Sequence, residues 1–173
     1  MLTDGDTAPD FSLPGTRPPG EQAGNETART TSAARPVPFT LEGVPADGSL
    51  PLNFYLFDFH PSCTEHVCAL HDLAWFDLEA GLSVYGVSTD RVFSHDAFAT
   101  GEGLGFPLLS DSDGSVAEAY GVLYDEFRGH KRIAKRAVFL VDADRTVRYA
   151  WSSVEPGTQP DWDAVHDAVH AVV

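Results

Sequence analysis

Lysine is almost missing from this chain. Its 173 residues include only Lys131 and Lys135, and 11 Lys and Arg together stand against 26 Asp and Glu, for a formal net charge of −15. A surface this negative argues against nucleic acid or an anionic membrane as a partner, since neither can be gathered without a basic patch. The chain also lacks an apolar run long enough for a membrane helix, which needs about 20 residues. Its start, Met1-Leu2-Thr3-Asp4-Gly5-Asp6, is polar and acidic, unlike the basic-then-apolar opening of a secretory leader. These absences predict a soluble, cytoplasmic protein. No internal repeat and no glycine-rich phosphate loop is present. An Asp-rich, Lys-poor surface resembles that of proteins from salt-loving organisms, where carboxylates keep the protein soluble while salt screens their repulsion.

Cysteine is equally scarce. Two cysteines cannot staple a disulfide scaffold, and in a cytoplasmic setting they point to redox or metal chemistry. Both fall in one hexapeptide, Cys63-Thr64-Glu65-His66-Val67-Cys68, shortly after the apolar run Leu52-Asn53-Phe54-Tyr55-Leu56-Phe57. That run reads as a strand covered on both faces. After Cys63 the period changes: Val67, Leu70, Leu73 and Phe76 recur at helical spacing until Gly81 supplies a stop. A thiol at such a strand-to-helix junction is expected beside unpaired backbone N–H groups and the positive end of the helix dipole, which favour thiolate. This is the surrounding of a reactive cysteine.

The length fits one domain over residues 1–173. Residues 14–38 are crowded with Gly, Pro, Ser, Thr and charge and read as a flexible insertion, with short edge strands at 11–13 and 39–41 that pair across it. Further on, residues 82–88 read as a strand, 94–100 as a helix, 106–109 as a short apolar segment, and 115–120 as a helix after the turn Ser110-Asp111-Ser112-Asp113-Gly114. Residues 137–141 and 146–151 flank Asp142-Ala143-Asp144-Arg145 as a hairpin, and 162–172 close the chain as a helix. The expected fold is α/β, a central mixed sheet with helices on both faces, as in a thioredoxin-like domain.

Some tempting patterns carry little. Asp111-Ser112-Asp113-Gly114 opens like a calcium loop, but Val122 stands where that loop needs an acid. Ser94, His95 and Asp96 are contiguous and read as a helix start, not a hydrolase triad. Trp75, Trp151 and Trp162 read as core or interface aromatics.

Several segments together resemble the peroxiredoxins, in particular the bacterioferritin-comigratory and alkyl-hydroperoxide-reductase-like branches. They are Gly5-Asp6-Thr7-Ala8-Pro9-Asp10-Phe11, Cys63-Thr64-Glu65-His66-Val67-Cys68-Ala69-Leu70-His71-Asp72, Gly86-Val87-Ser88-Thr89-Asp90, Phe106-Pro107-Leu108-Leu109-Ser110-Asp111 and Arg136-Ala137-Val138-Phe139-Leu140-Val141-Asp142, in the family's order and spacing. The resemblance implies a thiol-dependent peroxidase with no cofactor, acting on hydrogen peroxide or organic hydroperoxides. Cys63 would attack the peroxide as thiolate and become sulfenic acid. Arg136 would stabilise the thiolate and hold the peroxide oxygens. The family places a proline seven residues and a threonine or serine three residues before the cysteine; here Leu56 and His60 stand there. Leu56 could supply an apolar wall in the proline's place, and His60 could position the peroxide or act as base toward Cys63.

Cys68 matches a resolving cysteine of the comigratory branch, which would give an intramolecular disulfide renewed by a thioredoxin-like reductant. On an intact helix two residues five apart lie about 8–9 Å from each other. Bridgeable Cα pairs lie within about 7 Å, so the first turn must open. Two other readings remain at this stage. His60, Cys63, His66, Cys68 and His71 could hold zinc or copper, or the domain could be a thioredoxin-like binding module without peroxidase chemistry. The preferred peroxide, the reductant and a homodimer are left open.

Overall fold

A computed structural model describes residues 1–17, 36–41, 49–72 and 84–171. Seven strands form one mixed sheet in the order β2-β1-β5-β4-β3-β8-β9. They are β1 (Ser12–Gly15), β2 (Val37–Thr40), β3 (Ser49–Phe54), β4 (Tyr85–Ser88), β5 (Leu108–Ser110), β8 (Ala137–Asp142) and β9 (Val147–Ser152). The centre is parallel, with Leu52 opposite Tyr85 and Gly86 opposite Leu108, while β8 runs antiparallel to β3 and sets Phe54 opposite Ala137. The hairpin β8–β9 stands where the sequence placed it.

β3 begins at Ser49, earlier than the apolar run suggested, and includes Pro51. A proline lacks the ladder N–H, yet Pro51 pairs with Leu140 before the β3–β4 ladder starts at Leu52, so only one side of the strand is engaged there. The side chains then alternate. Leu50, Leu52 and Phe54 enter one apolar layer with Phe139 and with Val116 and Ala117 of α3 (Ser115–Ala119). The other layer holds Leu56 and Leu108 with Cys63 and Val67 of α1 (Pro61–Asp72) and Phe98 and Ala99 of α2 (Val92–Glu102). Helices thus cover both faces of a thioredoxin-like α/β sheet. The last helix, α4 (Trp162–His170), is capped by Asp161, whose carboxylate accepts the amides of Asp163 and Ala164. No helix among the described residues is long and apolar enough to cross a membrane.

Both ends of the segment read as an insertion pair as strands. Pro14 pairs with Pro38 and Gly15 with Val37, and buried Thr16 accepts the Leu108 amide through its hydroxyl, so residues 14–17 and 36–38 belong to the fold. Residues 18–35 lie outside the described residues, as does the expected continuation of the helix to Gly81. The Asp111 turn is a helix entrance, its carboxylate accepting the amides of Val116 and Ala117.

One element escaped the sequence reading. β6 (Leu123–Phe127) and β7 (His130–Ala134) form a separate hairpin. Its two-residue turn has Arg128 at φ 49° and Gly129 at φ 83°, the left-handed pair that matches the twist of a tight hairpin. The strands Leu-Tyr-Asp-Glu-Phe and His-Lys-Arg-Ile-Ala carry too few apolar residues to show a period of two.

Candidate active site

α1 opens with Pro61, a residue suited to the first helical position because its missing N–H would have no helical partner there. Cys63 follows in the first turn and is fully buried. Its amide is not free as expected: the N–H groups of Cys63 and Thr64 both donate to the His60 carbonyl, at 2.8 and 2.9 Å. The positive charge beside the sulfur comes instead from Arg136, fully buried, whose Nη2 lies 3.7 Å from Cys63 Sγ. The same nitrogen donates to the Ser62 carbonyl at 3.0 Å, and Nη1 donates to the Thr158 carbonyl at 3.1 Å. The Nε–H of Arg136 is buried without a hydrogen-bond acceptor among the described residues. Cys63 and Arg136 meet because the β3–β8 register brings the start of β8 beside the end of β3.

Leu56 is buried and belongs to the same apolar layer as Cys63. His60 is half-buried, with Nδ1 3.1 Å from Ser62 Oγ, and among the described residues its imidazole makes no hydrogen bond to the Cys63 thiol. Its other surroundings form a cavity of about 400 Å³ walled by Phe57, Phe59, Pro61 and Phe127, with Arg128 and His130 at the hairpin tip.

Cys68 lies on the same unbroken helix, and both thiols are free. Half-buried, it donates its S–H to Glu102 Oε2 at 3.5 Å. Burial, then the Glu102 hydrogen bond and charge, with Asp72 adding to them, pushes its thiol up to about 11. The donors named for a zinc or copper site face separate partners. His60 faces Ser62, His66 faces Asn53 and Gln159, His71 accepts the Gly105 amide, and Cys68 faces Glu102. Among the described residues no three His, Cys, Asp or Glu side chains converge on a metal position.

Residues 5–150 match the AhpC/TSA family. The chain belongs to this family, the peroxiredoxins. It is 31% identical over 166 residues to the Bcp peroxiredoxin of Escherichia coli, covering 92% of each chain. The peroxidoxin BcpB of Mycobacterium tuberculosis superposes with a TM-score of 0.78 at 30% identity, over 100% of this chain and 99% of that one. The bacterioferritin comigratory protein of Xanthomonas campestris, described for its alkyl peroxide reduction activity, superposes at 0.67 with 31% identity, over 79% of this chain and 86% of that one.

Two polar networks hold the reactive segment of this peroxiredoxin, and both escaped the sequence reading. In the first, buried Asp58 accepts from Tyr55 Oη at 2.7 Å and Ser94 Oγ at 2.6 Å, and sits 2.9 Å from His95 Nδ1. His95 Nε2 donates to the Leu109 carbonyl at 3.1 Å, which leaves Nδ1 facing Asp58. The Asp58 amide donates to Asp90. Asp58 is thereby fixed just before Phe59, which takes φ 60°, a costly conformation for an aromatic residue, and just before His60. Ser94 and His95 lie in the first turn of α2, which begins at Val92, and they also grip this loop.

In the second, fully buried His66 has Nδ1 2.9 Å from Gln159 Oε1 and Nε2 2.6 Å from the Asn53 carboxamide. Burial, with Arg136 nearby, pushes His66 down to about 3, so it is neutral with a single N–H. Gln159 fixes where that proton sits, since its own Nε2 points to the Ser62 carbonyl at 3.4 Å and its Oε1 must accept from Nδ1. Nε2 of His66 is then an acceptor, matched by turning the Asn53 amide so that its otherwise unpaired Nδ2 donates. The chain Asn53, His66, Gln159, Ser62 carbonyl, Arg136 ties α1 to the guanidinium beside the thiol. The sequence signal was weak: single polar residues inside apolar patterns, Asn53 in the run before Cys63 and His66 beside Val67 at the helical spacing of Cys63 and Leu70.

Proposed function

We propose that this peroxiredoxin reduces hydrogen peroxide or organic hydroperoxides with Cys63 as the attacking thiolate, Arg136 as its electrostatic partner and Cys68 as resolver. The observation that carries the reading is the buried guanidinium of Arg136, 3.7 Å from Sγ and keeping one N–H in reserve for a substrate oxygen. In the first step a sulfur lone pair attacks the terminal oxygen of ROOH. The S–O bond forms as the O–O bond breaks, and the departing RO⁻ takes a proton to leave as alcohol or water. Arg136 meets the negative charge spread between sulfur and leaving oxygen, where a preorganised donor acts most strongly. His60, at the cavity wall, is placed to position the incoming peroxide.

In the second step the Cys68 sulfur attacks the sulfenic sulfur, and water leaves as the disulfide forms. α1 must open first, because five helical residues separate the Cα atoms by about 8–9 Å. A thioredoxin-like dithiol then takes over the oxidation and restores both thiols.

A stopped-flow titration of the Cys63 thiol with hydrogen peroxide tests the first step. A second-order rate no faster than that of a free thiol at equal thiolate fraction would overturn it and return the binding-module reading. Mass spectrometry after one equivalent of peroxide tests the second. Loss of two hydrogens supports the disulfide, and a stable sulfenic acid with both cysteines unlinked defeats it.

A further inference from the structure

The last helix carries two of the chain's seven histidines one turn apart, His166 and His170. Val165 and Val169 of α4 are buried, and the residue after each lies toward solvent: the His166 side chain is 38% exposed, and His170 is exposed. Helical residues four apart share a face. Here the two imidazole rings meet edge-on with centroids 4.2 Å apart, and their Nε2 atoms approach to 2.8 Å.

That separation fits a shared ion. An imidazole nitrogen binds a late first-row divalent metal at about 2.0 Å, so two nitrogens at adjacent corners of a square-planar or octahedral sphere stand about 2.8 Å apart. Without metal the same spacing is a hydrogen bond in which one Nε2–H donates to the other Nε2. Asp167 Oδ1 lies 3.6 Å from His166 Nδ1. A carboxylate facing the far nitrogen favours the proton there, orients the ring and leaves the Nε2 lone pair to act as ligand. His170 needs only to move its proton from Nε2 to Nδ1. The pair closes the C-terminal turn of α4, the negative end of the helix dipole, in a chain of net charge −15, and both fields favour a cation.

We propose that His166 and His170 form a surface binding site for Cu(II) or Ni(II), each giving its Nε2 lone pair to one ion. Among the described residues no third His, Cys, Asp or Glu side chain converges there, so water completes the sphere. The angle of about 90° at the ion suits copper and nickel better than tetrahedral zinc. The ion pins one turn of α4 and steadies the end of the helix. The site stands apart from Cys63 and does not depend on the peroxidase reading.

Isothermal titration of the tag-free, reduced protein with nickel chloride tests this, nickel being a probe that leaves the thiols unoxidised. One ion per chain is expected. His166→Gln and His170→Gln should each weaken binding by at least about ten-fold, as a chelate loses one of its two ligands, while Cys68→Ser should leave it unchanged. Glutamine keeps a high helix propensity at both positions. Saturating nickel should raise the melting temperature of the wild-type protein, since the ion binds the folded pair, and the rise should vanish in both histidine variants. Copper EPR of the Cys63→Ser, Cys68→Ser protein needs no histidine variant and should show hyperfine splitting from two nitrogens. Affinity within three-fold of wild type in either histidine variant, a loss confined to Cys68→Ser, or splitting from fewer than two nitrogens overturns the proposal.

Discussion

Cys68 is held across the gap between two helices by Glu102: the thiol at the middle of α1 donates to the carboxylate at the end of α2, at 3.5 Å. With its thiol pushed up to about 11 by burial and by this anion, roughly one Cys68 in ten thousand is thiolate at pH 7 while the helix is closed. The residue assigned as resolver is therefore kept unreactive until α1 opens.

Replacing Glu102 by Gln removes the nearby charge and lowers the cost of forming that thiolate. Disulfide formation after a peroxide pulse should become several-fold faster at pH 7, with the advantage shrinking as pH approaches 11. Quenched-flow alkylation followed by mass analysis reads this. An unchanged rate would mean that Cys68 leaves Glu102 before it ionises, and helix opening alone limits the step.

Arg136 makes three short contacts that no ammonium can reproduce together, to Cys63, Ser62 and Thr158. Arg136→Lys is expected to lower the rate of Cys63 with peroxide by about 100-fold, the scale of losing one preorganised donor at a reacting centre. Stopped-flow tryptophan fluorescence measures it, and a loss below three-fold would remove Arg136 from the chemistry.

His66 makes the fold sensitive to acid. Its folded value of about 3, set first by burial and then by Arg136, lies below the unfolded value of 6.5. The unfolded chain thus binds the proton first, so this contribution is complete above pH 6.5 and is lost as pH falls toward 3. Between pH 7 and 5 the wild-type protein should lose about 2 kcal/mol through this residue, at ~1.4 kcal/mol per pH unit below 6.5. His66→Gln should lack that part of the pH dependence in urea denaturation, whatever its stability at pH 7.

The buried Asp58 and His95 pair anchors the loop that carries His60. Removing one member of such a pair strands the other, at a cost of about 3 kcal/mol. His95→Gln is expected to lower the denaturation midpoint accordingly and to raise KM for peroxide more than it lowers kcat, since the cavity wall shifts while Cys63 and Arg136 stay paired. Equal loss in both parameters would place His95 in the chemistry itself.

A net charge of −15 makes the folded state repel itself. Raising KCl from 0.1 to 2 M shortens the screening length from about 10 Å to under 3 Å, and the melting temperature should climb with it. A flat or falling calorimetric Tm over that range would contradict the reading of the surface as salt-adapted.

The sequence was most legible where hydrophobic pattern and segment order carry information. The strand before Cys63, the β8–β9 hairpin, the helix after the Asp111 turn and the pairing across residues 14–38 were all expected. Pro51 disguised the start of β3 because a proline reads locally as a breaker, whereas its strand position leaves one side unpaired. The β6–β7 hairpin stayed hidden because its strands are mostly polar and lie outside the main sheet, and its buried residues, the adjacent Ile133 and Ala134, impose no period of two.

By itself the sequence determined the family, the thiol pair and the two departures at Leu56 and His60, because these are local strings of residue types. The tertiary structure alone decided what surrounds them. His95 reaches Asp58 from 37 residues away, and Gln159 reaches His66 from 93. Phe127, Arg128 and His130 of the hairpin line a cavity whose other walls come from the loop before α1 and its first residue. Apolar periodicity reports which side of a segment is buried, but a buried polar group is satisfied by whichever partner the fold brings to it. That partner is fixed by strand order and register, not by any neighbour in the chain.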